Sequence, residues 1–302
     1  MFSQLAALLV PAVFVFLWST GFIFSKMGLP YAEPLGFLSV RFGMAAIILV
    51  VVQQFLPKSQ TSISPAEIFH SAIAGILLQA VYLGGVFSSI ALGIGAGLSA
   101  LIVGLQPLLT AVLANIWLRE GFSAQKFLGI TLGLAGVALV ITARGQLDGE
   151  ISTPGLLLCI AALLGITVGA VYQKRFCVKT ALLPSVTVQY IASLAVLLPL
   201  ALLTETLQFD WQPRFIFSLG WLVLVLSLGA VFILMWLIRR GEAGRVATLF
   251  YLVPPVVAIE AWVLFDESLS ILLMIGTGLC IAGVGVVMLE QTRPNQVDNQ
   301  RE

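Results

Sequence analysis

The chain has 302 residues, 60% of them hydrophobic and only 10% charged, with a net charge of +1 and a mean hydropathy of +1.07. A soluble domain carries about a quarter charged residues, and a disordered chain is rich in charge and poor in apolar side chains, so both classes are excluded. A near-neutral chain also offers no polybasic surface for nucleic acid. What remains is a polytopic membrane protein, in which ten crossings of about 20 residues each take roughly 200 residues and leave short loops.

Residues 1–25 contain no charge, so the basic flank of a cleaved signal peptide is missing and a first retained span is expected at 5–26. Further spans are expected at 34–55, 68–91, 97–118, 123–143, 154–174, 183–204, 215–238, 244–265 and 269–290. The stretch 71–118 has no charged residue and is too long for one crossing. Gly93-Ile94-Gly95-Ala96-Gly97 supplies the turn that divides it. The segment 291–302 is polar, contains Pro294, and reads as a disordered cytoplasmic tail. With an even number of spans both termini share a side. The loops on that side hold Lys58, Arg119, Lys126, Lys174, Arg175, Lys179, Arg239, Arg240, Arg245, Arg293 and Arg301, eleven basic residues against three (Lys26, Arg144 and Arg214) on the other. Excess lysine and arginine mark the cytoplasmic side, so both termini are expected there.

Shifted by 147 residues, the segment 97–141 lies on 244–288 without a gap, and 14 of 45 positions are identical. They include Gly97/Gly244, Pro107/Pro254, Glu120/Glu267, Gly129/Gly276 and Gly136/Gly283. Earlier positions match weakly at a shift of 148, as Gly21/Gly169 and Lys26/Lys174. Each half then holds five spans. Five is odd, so the second copy enters the membrane from the opposite face, and inverted repeats are a recurring plan of secondary transporters. The halves are expected at 5–143 and 154–290.

Trp18-Ser19-Thr20-Gly21-Phe22, Lys26, Arg41-Phe42, Ala91-Leu92, Ala96, Ser99-Ala100, Leu105, Pro107-Leu108 and Leu118-x-Glu120 resemble an EamA domain. Arg240, Ala243, Ala247, Leu252, Pro254 and Phe265-x-Glu267 repeat the theme in the second half. The chain is therefore similar to the EamA-type members of the drug/metabolite transporter (DMT) superfamily over about residues 5–290. The resemblance implies an all-α integral membrane protein of ten transmembrane helices in two inverted five-helix EamA repeats around a central cavity. It also implies a bacterial inner (plasma) membrane location and export of metabolites or drugs, often amino acids.

Several residues carry candidate chemistry. Pro107 and Pro254 occupy matching places in spans four and nine. A proline in a span frees a carbonyl four residues earlier, and freed backbone is tolerated at that depth only against protein or a wet cavity. Both are expected as helix kinks lining the site. Arg41 and Glu260 are charges inside spans, which is costly and marks function by default. Arg41 serves equally well as a structural anchor. Glu260 faces Leu113 in the repeat alignment, and its roles are to bind a cationic group, carry a coupling proton, or pair with Arg41 as part of an outer gate. Trp18, Thr20, Gln79, Tyr82, Gln106 and Tyr251 are candidate substrate-binding residues, aromatic walls and orienting polar groups for a ligand with an apolar body. Ala161, Gly165 and Gly169, Gly129 and Gly133, and Gly278 and Ala282 stand at the small-xxx-small spacing of close helix contacts, within the chain or in a homodimer. His70, Lys58 and Glu67 read as a solvated loop. Cys159, Cys177 and Cys280 read as small buried thiols, and no zinc cluster, HExxH, GxGxxG or Walker loop is present. No cofactor and no metal is expected.

The leading expectation is a secondary transporter that exports small metabolites, amino acids above all, by alternating access, with room for proton coupling. An intramembrane enzyme and a non-transporting scaffold are the alternatives, and uptake or drug export are variants within transport. An enzyme would need clustered catalytic groups, which here are scattered.

Overall fold

The computed structural model describes residues 2–57, 62–118, 124–148, 152–231, 233, 252–267 and 270–291. In chain order the helices are α1 (Phe2–Gly28), α2 (Pro34–Gln54), α3 (Pro65–Ala91), α4 (Ala96–Val103), α5 (Gln106–Leu118), α6 (Ala124–Asp148), α7 (Thr153–Phe176), α8 (Leu182–Thr204), α9 (Pro213–Ala230), α10 (Val253–Phe265) and α11 (Ile271–Gln291). Among the described residues there is no strand, only an isolated bridge between Ala32 and Phe209. Six segments are long and apolar enough to cross a bilayer: Val13–Tyr31, α2, α3, α7, α8 and α9. Four shorter apolar helices accompany them: Ala96–Thr110, Phe127–Ala143, Val253–Phe265 and Ile271–Val286. The protein is thus an all-helical, multi-pass membrane protein. Six of the ten expected spans are full-length among the described residues, and those expected at 97–118, 123–143, 244–265 and 269–290 correspond to the shorter helices: the first is split between α4 and α5, and the third starts within 234–251, outside the described residues.

Local chemistry explains where helices begin. Pro34, Pro65, Pro154 and Pro213 stand in the first turns of α2, α3, α7 and α9, where a missing N–H costs nothing. Ser64 and Glu67 form a capping box at the start of α3, and the Ser152 hydroxyl accepts from the Gly155 amide. The turn between α3 and α4 uses Gly93 at φ +91°. Helix resumes at Ala96, so Gly97 lies inside α4 rather than in the turn. Loop carboxylates tie α2 to α8: Glu205 accepts from the Leu35 and Gly36 amides at 2.8 and 2.7 Å, and Glu33 accepts from the Thr206 and Leu207 amides at 2.7 and 3.0 Å. Negative charge at the α2 N-terminus complements the helix dipole. His70 and Glu67 are not simply loop residues. The His70 ring stacks on Phe176 at 4.6 Å and its Nδ1 is 2.8 Å from the Tyr172 hydroxyl, joining α3 to α7.

The buried apolar residues form two clusters. One is built from α1, α3 to α7, α10 and α11, the other chiefly from α2, α3, α8 and α9, and Trp18 packs against both. The α6–α11 seam is glycine-lined. A Cβ on Gly136 would lie 2.5 Å from the Gly276 carbonyl oxygen, and one on Gly283 would lie 2.5 Å from the Gly129 carbonyl oxygen. The Cys280 thiol sits 3.4 Å from the carbonyl oxygen of Gly133, 147 residues away. Partner numbers fall along one helix as they rise along the other, so α6 and α11 are antiparallel. Exchanging the matched positions of the two halves maps Gly129–Gly283 onto Gly276–Gly136 and Gly133–Cys280 onto itself. Gly129 and Gly133 thus pack as their spacing suggests. Gly278 does not: a Cβ there meets nothing within 4 Å, and Ala282 is exposed, so the packed face of α11 runs through Gly276, Cys280 and Gly283 instead. In α7, Gly165 and Gly169 do pack closely on α3, against Leu77, Leu78, Val81 and Tyr82.

Two helices are locally widened to i→i+5 hydrogen bonding, Ile76–Val81 in α3 and Leu222–Ala230 in α9. The first, moved by 147 residues, falls inside the second. Such π-helical turns occur frequently at functional sites.

Candidate functional site

Helices α1 and α10 run side by side; one polar pair joins them, and a second joins α1 to the turn that follows α10. The Ser19 hydroxyl donates to Glu260 Oε1 at 2.9 Å, and Lys26 Nζ lies 2.6 Å from Glu267 Oε1; both pairs span 241 residues. A constant offset means parallel helices, and seven residues separate the pairs, about 10 Å along the axis. The two carboxylates differ in what surrounds them. Glu267 is buried, with the Lys26 ammonium and the Ala96 amide at 3.0 Å. Glu260 is half-buried, and its Oε2 is buried with no hydrogen-bond partner among the described residues. A buried acceptor without a donor is costly, and in a membrane-spanning protein such a group marks a site by default. A ligand donor or a proton on Oε2 removes the cost.

Arg41 lies elsewhere. It is 6% exposed in α2, and its Nε donates to the Ser227 hydroxyl at 3.0 Å, in the widened stretch of α9. The Tyr190 hydroxyl donates to the Ser227 carbonyl oxygen at 2.8 Å, and Tyr190 and Tyr82 are the electrostatic neighbours of the guanidinium. Arg41 and Glu260 form no ion pair; each has its own hydroxyl partner on a different helix pair. The contact considered from sequence, Arg41 to Glu260, is replaced by Arg41–Ser227 and Glu260–Ser19.

Pro107 stands at an interruption, and Pro254 at a helix start. Helix α4 ends at Val103, Gly104 and Leu105 form a turn, and α5 begins at Gln106 beside Pro107. The amide that could have bonded the Val103 carbonyl is missing at Pro107, and the chain breaks there. Pro254 is buried in the first turn of α10, where it stands against the α4–α5 break: a Cβ on Gly104 would lie 2.7 Å from its ring. Pro254 also lines a small crevice with Gly97, Leu98, Leu101, Ala258 and Thr277.

Of the remaining candidates, Trp18 is half-buried beside Phe14 at 5.4 Å. Thr20 is buried and accepts from Trp221 Nε1 at 2.9 Å. Gln79 is half-buried in the widened turn of α3, Tyr82 is buried near Arg41, and Gln106 is half-buried at the α5 start. Tyr251 lies outside the described residues. Two groups therefore emerge: Ser19, Glu260 and the crevice at α1, α4 and α10, and Arg41, Tyr82, Tyr190 and Ser227 at α2, α3, α8 and α9. Sequence reasoning left Ser227, Trp221 and the Lys26–Glu267 pair out of the site. The signal for that pair was present, since Lys26 and Glu267 are both positions that recur in the other half.

A model of the EamA-like transporter family matches residues 5–142 and again 153–289. An uncharacterized transporter of Bacillus subtilis (strain 168), YvbV, is 30% identical over 92% of this chain and 90% of its own length. An uncharacterized inner membrane transporter of Escherichia coli (strain K12), YedA, is 24% identical over 90% of this chain and 87% of its own. A protein of the same strain named "Probable amino-acid metabolite efflux pump" is 26% identical over 89% of this chain and 90% of its own. A solved crystal structure shares the fold at a TM-score of 0.65 and 19% identity, covering 96% of this chain and 99% of that one.

Proposed function

The chain belongs to the EamA-like transporter family, and we propose that it is a secondary transporter exporting small metabolites of the amino-acid class by alternating access between two inverted halves. The observation that carries this reading is Glu260: a carboxyl in a membrane helix, bonded by one hydroxyl, with its second oxygen buried and open to a donor. Glu260 occurs in the second half only, as a functional group added to a repeated scaffold does. It takes up either the proton that drives export or the ammonium group of the substrate. The antiparallel, self-exchanging α6–α11 seam supports inverted halves, and the close approach of Pro254 to Gly104 joins both halves beside a crevice with room for about one water. The relative named as an amino-acid metabolite efflux pump supports the substrate class, and the relative named as an inner membrane transporter supports the location. In this reading Trp18 and Tyr82 wall the pathway, Gln79 and Gln106 orient the ligand, and both termini are cytoplasmic.

Growth tests this directly. Cells expressing the protein should tolerate toxic concentrations of at least one amino acid or analogue from a broad panel and accumulate less of it than cells without the protein, and Glu260→Gln should abolish that difference. Equal tolerance and equal accumulation across the panel would contradict the substrate class. A second reading, facilitated diffusion without a coupling ion, rests on Glu260 serving as a substrate ligand alone.

A further inference from the structure

We infer that Lys26, Glu267 and the first turn of α4 form a gate that closes the transport pathway at the end where α3 meets α4. The inference rests on the transporter reading for the existence of a pathway, and not on its substrate or coupling ion.

Three helices converge on one carboxylate. Glu267 Oε1 takes the Lys26 ammonium of α1 at 2.6 Å and the Ala96 amide of α4 at 3.0 Å, and it belongs to the turn that follows α10. Asp266 ends α10 at φ 52°, a left-handed conformation that aspartate tolerates better than most residues with a Cβ, and the turn brings Glu267 back onto the bundle. Glycine makes the seat, since a Cβ on Gly95 would come within 2.8 Å of Glu267 Oε2. The Lys26 ammonium also lies 4.7 Å from the Phe265 ring centroid. The carboxylate is almost dry and the lysine side chain is 29% exposed, so the pair sits at a rim, where water stands ready to replace either partner. Immediately inward, a Cβ on Gly97 would lie 3.6 Å from both Glu267 Oε2 and Ala258 Cα, and Ala258 lines the crevice. The Ser19–Glu260 pair lies two turns further along the same seam. The latch therefore caps both the crevice and the coupling carboxyl, and α1 and α10 cannot leave α4 while it holds.

The test reads accessibility and needs no substrate. In a background with Cys159, Cys177 and Cys280 replaced by alanine, Ala258→Cys places a single thiol beneath the latch. A membrane-impermeant methanethiosulfonate reagent is applied in separate experiments to intact cells and to inside-out vesicles. Glu267→Gln keeps an acceptor for the Ala96 amide but loses the ion pair. It and Lys26→Met should each speed labelling from one side only, by about tenfold, the scale of one lost charge-assisted hydrogen bond. Lys26→Arg should keep labelling slow. Unchanged rates from both sides, or an equal rise from both, would overturn the gate. A protein that fails to move amino acids yet shows the one-sided rise keeps the gate and loses the substrate class.

Discussion

Alanine at Gly276 and alanine at Gly278 should have opposite effects, although the two positions lie two residues apart on one helix. At Gly276 a Cβ would lie 2.6 Å from Val140 Cγ2 and 2.8 Å from the Gly136 carbonyl oxygen. The second neighbour is backbone and cannot rotate aside, so α6 and α11 must separate by a few tenths of an ångström along their whole contact. Overpacking of this kind costs about 1–3 kcal/mol, against which the removal of a helical glycine returns about 0.5–1 kcal/mol. The net expectation is a loss of up to about 2.5 kcal/mol, centred near 1. At Gly278 nothing lies within 4 Å, and only the favourable term acts, so stability should rise by about 0.5 kcal/mol or more. Thermal unfolding of the purified protein in one detergent, followed by tryptophan fluorescence, measures both variants against the parent. Gly136→Ala is the repeat image and should behave as Gly276→Ala does. A Gly276→Ala protein as stable as Gly278→Ala would refute the seam and, with it, the exchange symmetry drawn from it.

Other consequences are as specific. Arg41→Lys removes the Nε–Ser227 bond and should lower stability by about 1.5–3 kcal/mol, the scale of a hydrogen bond to a charged group; an unchanged melting temperature would contradict an anchoring role. Ser64→Ala breaks the capping box of α3 and should cost about 1 kcal/mol, measurable by the same unfolding assay. Gly93→Ala forces a Cβ into φ +91° and should destabilise by about 1–2 kcal/mol, although the site has open space around it; a neutral result would show that the turn relaxes.

Much of the architecture was legible because it rests on local chemistry. Hydropathy and the Gly93–Gly95 turn placed α3 and α4, whereas the first-turn prolines and the Ser64-x-x-Glu67 capping box are helix-start signals that hydropathy does not use, so α3 begins at Pro65 rather than at 68 and Glu67 belongs to its first turn. The repeat alignment held more than the repeat itself: its matched glycines, Gly129/Gly276 and Gly136/Gly283, are the seam. Spacing alone chose Gly278 and Ala282 on α11, because a small-xxx-small pattern does not say which face of a helix meets a neighbour. The widened turns of α3 and α9 left no mark in composition, since one extra residue in a turn is set by packing against other helices. Ser19–Glu260 and Arg41–Ser227 join residues 241 and 186 positions apart. Such pairs depend on how the halves dock, and without that docking Arg41 and Glu260 read as partners for each other.

The most direct measurement is transport in proteoliposomes that hold only this protein and a panel of labelled amino acids, with an imposed pH gradient, for the wild type and Glu260→Gln. The account predicts that the gradient drives at least one amino acid uphill in the wild type and that Glu260→Gln abolishes the response to the gradient while the protein remains folded. Wild-type liposomes that move no amino acid would contradict the substrate class, and an undiminished response in Glu260→Gln would remove Glu260 as the carrier of the coupling proton.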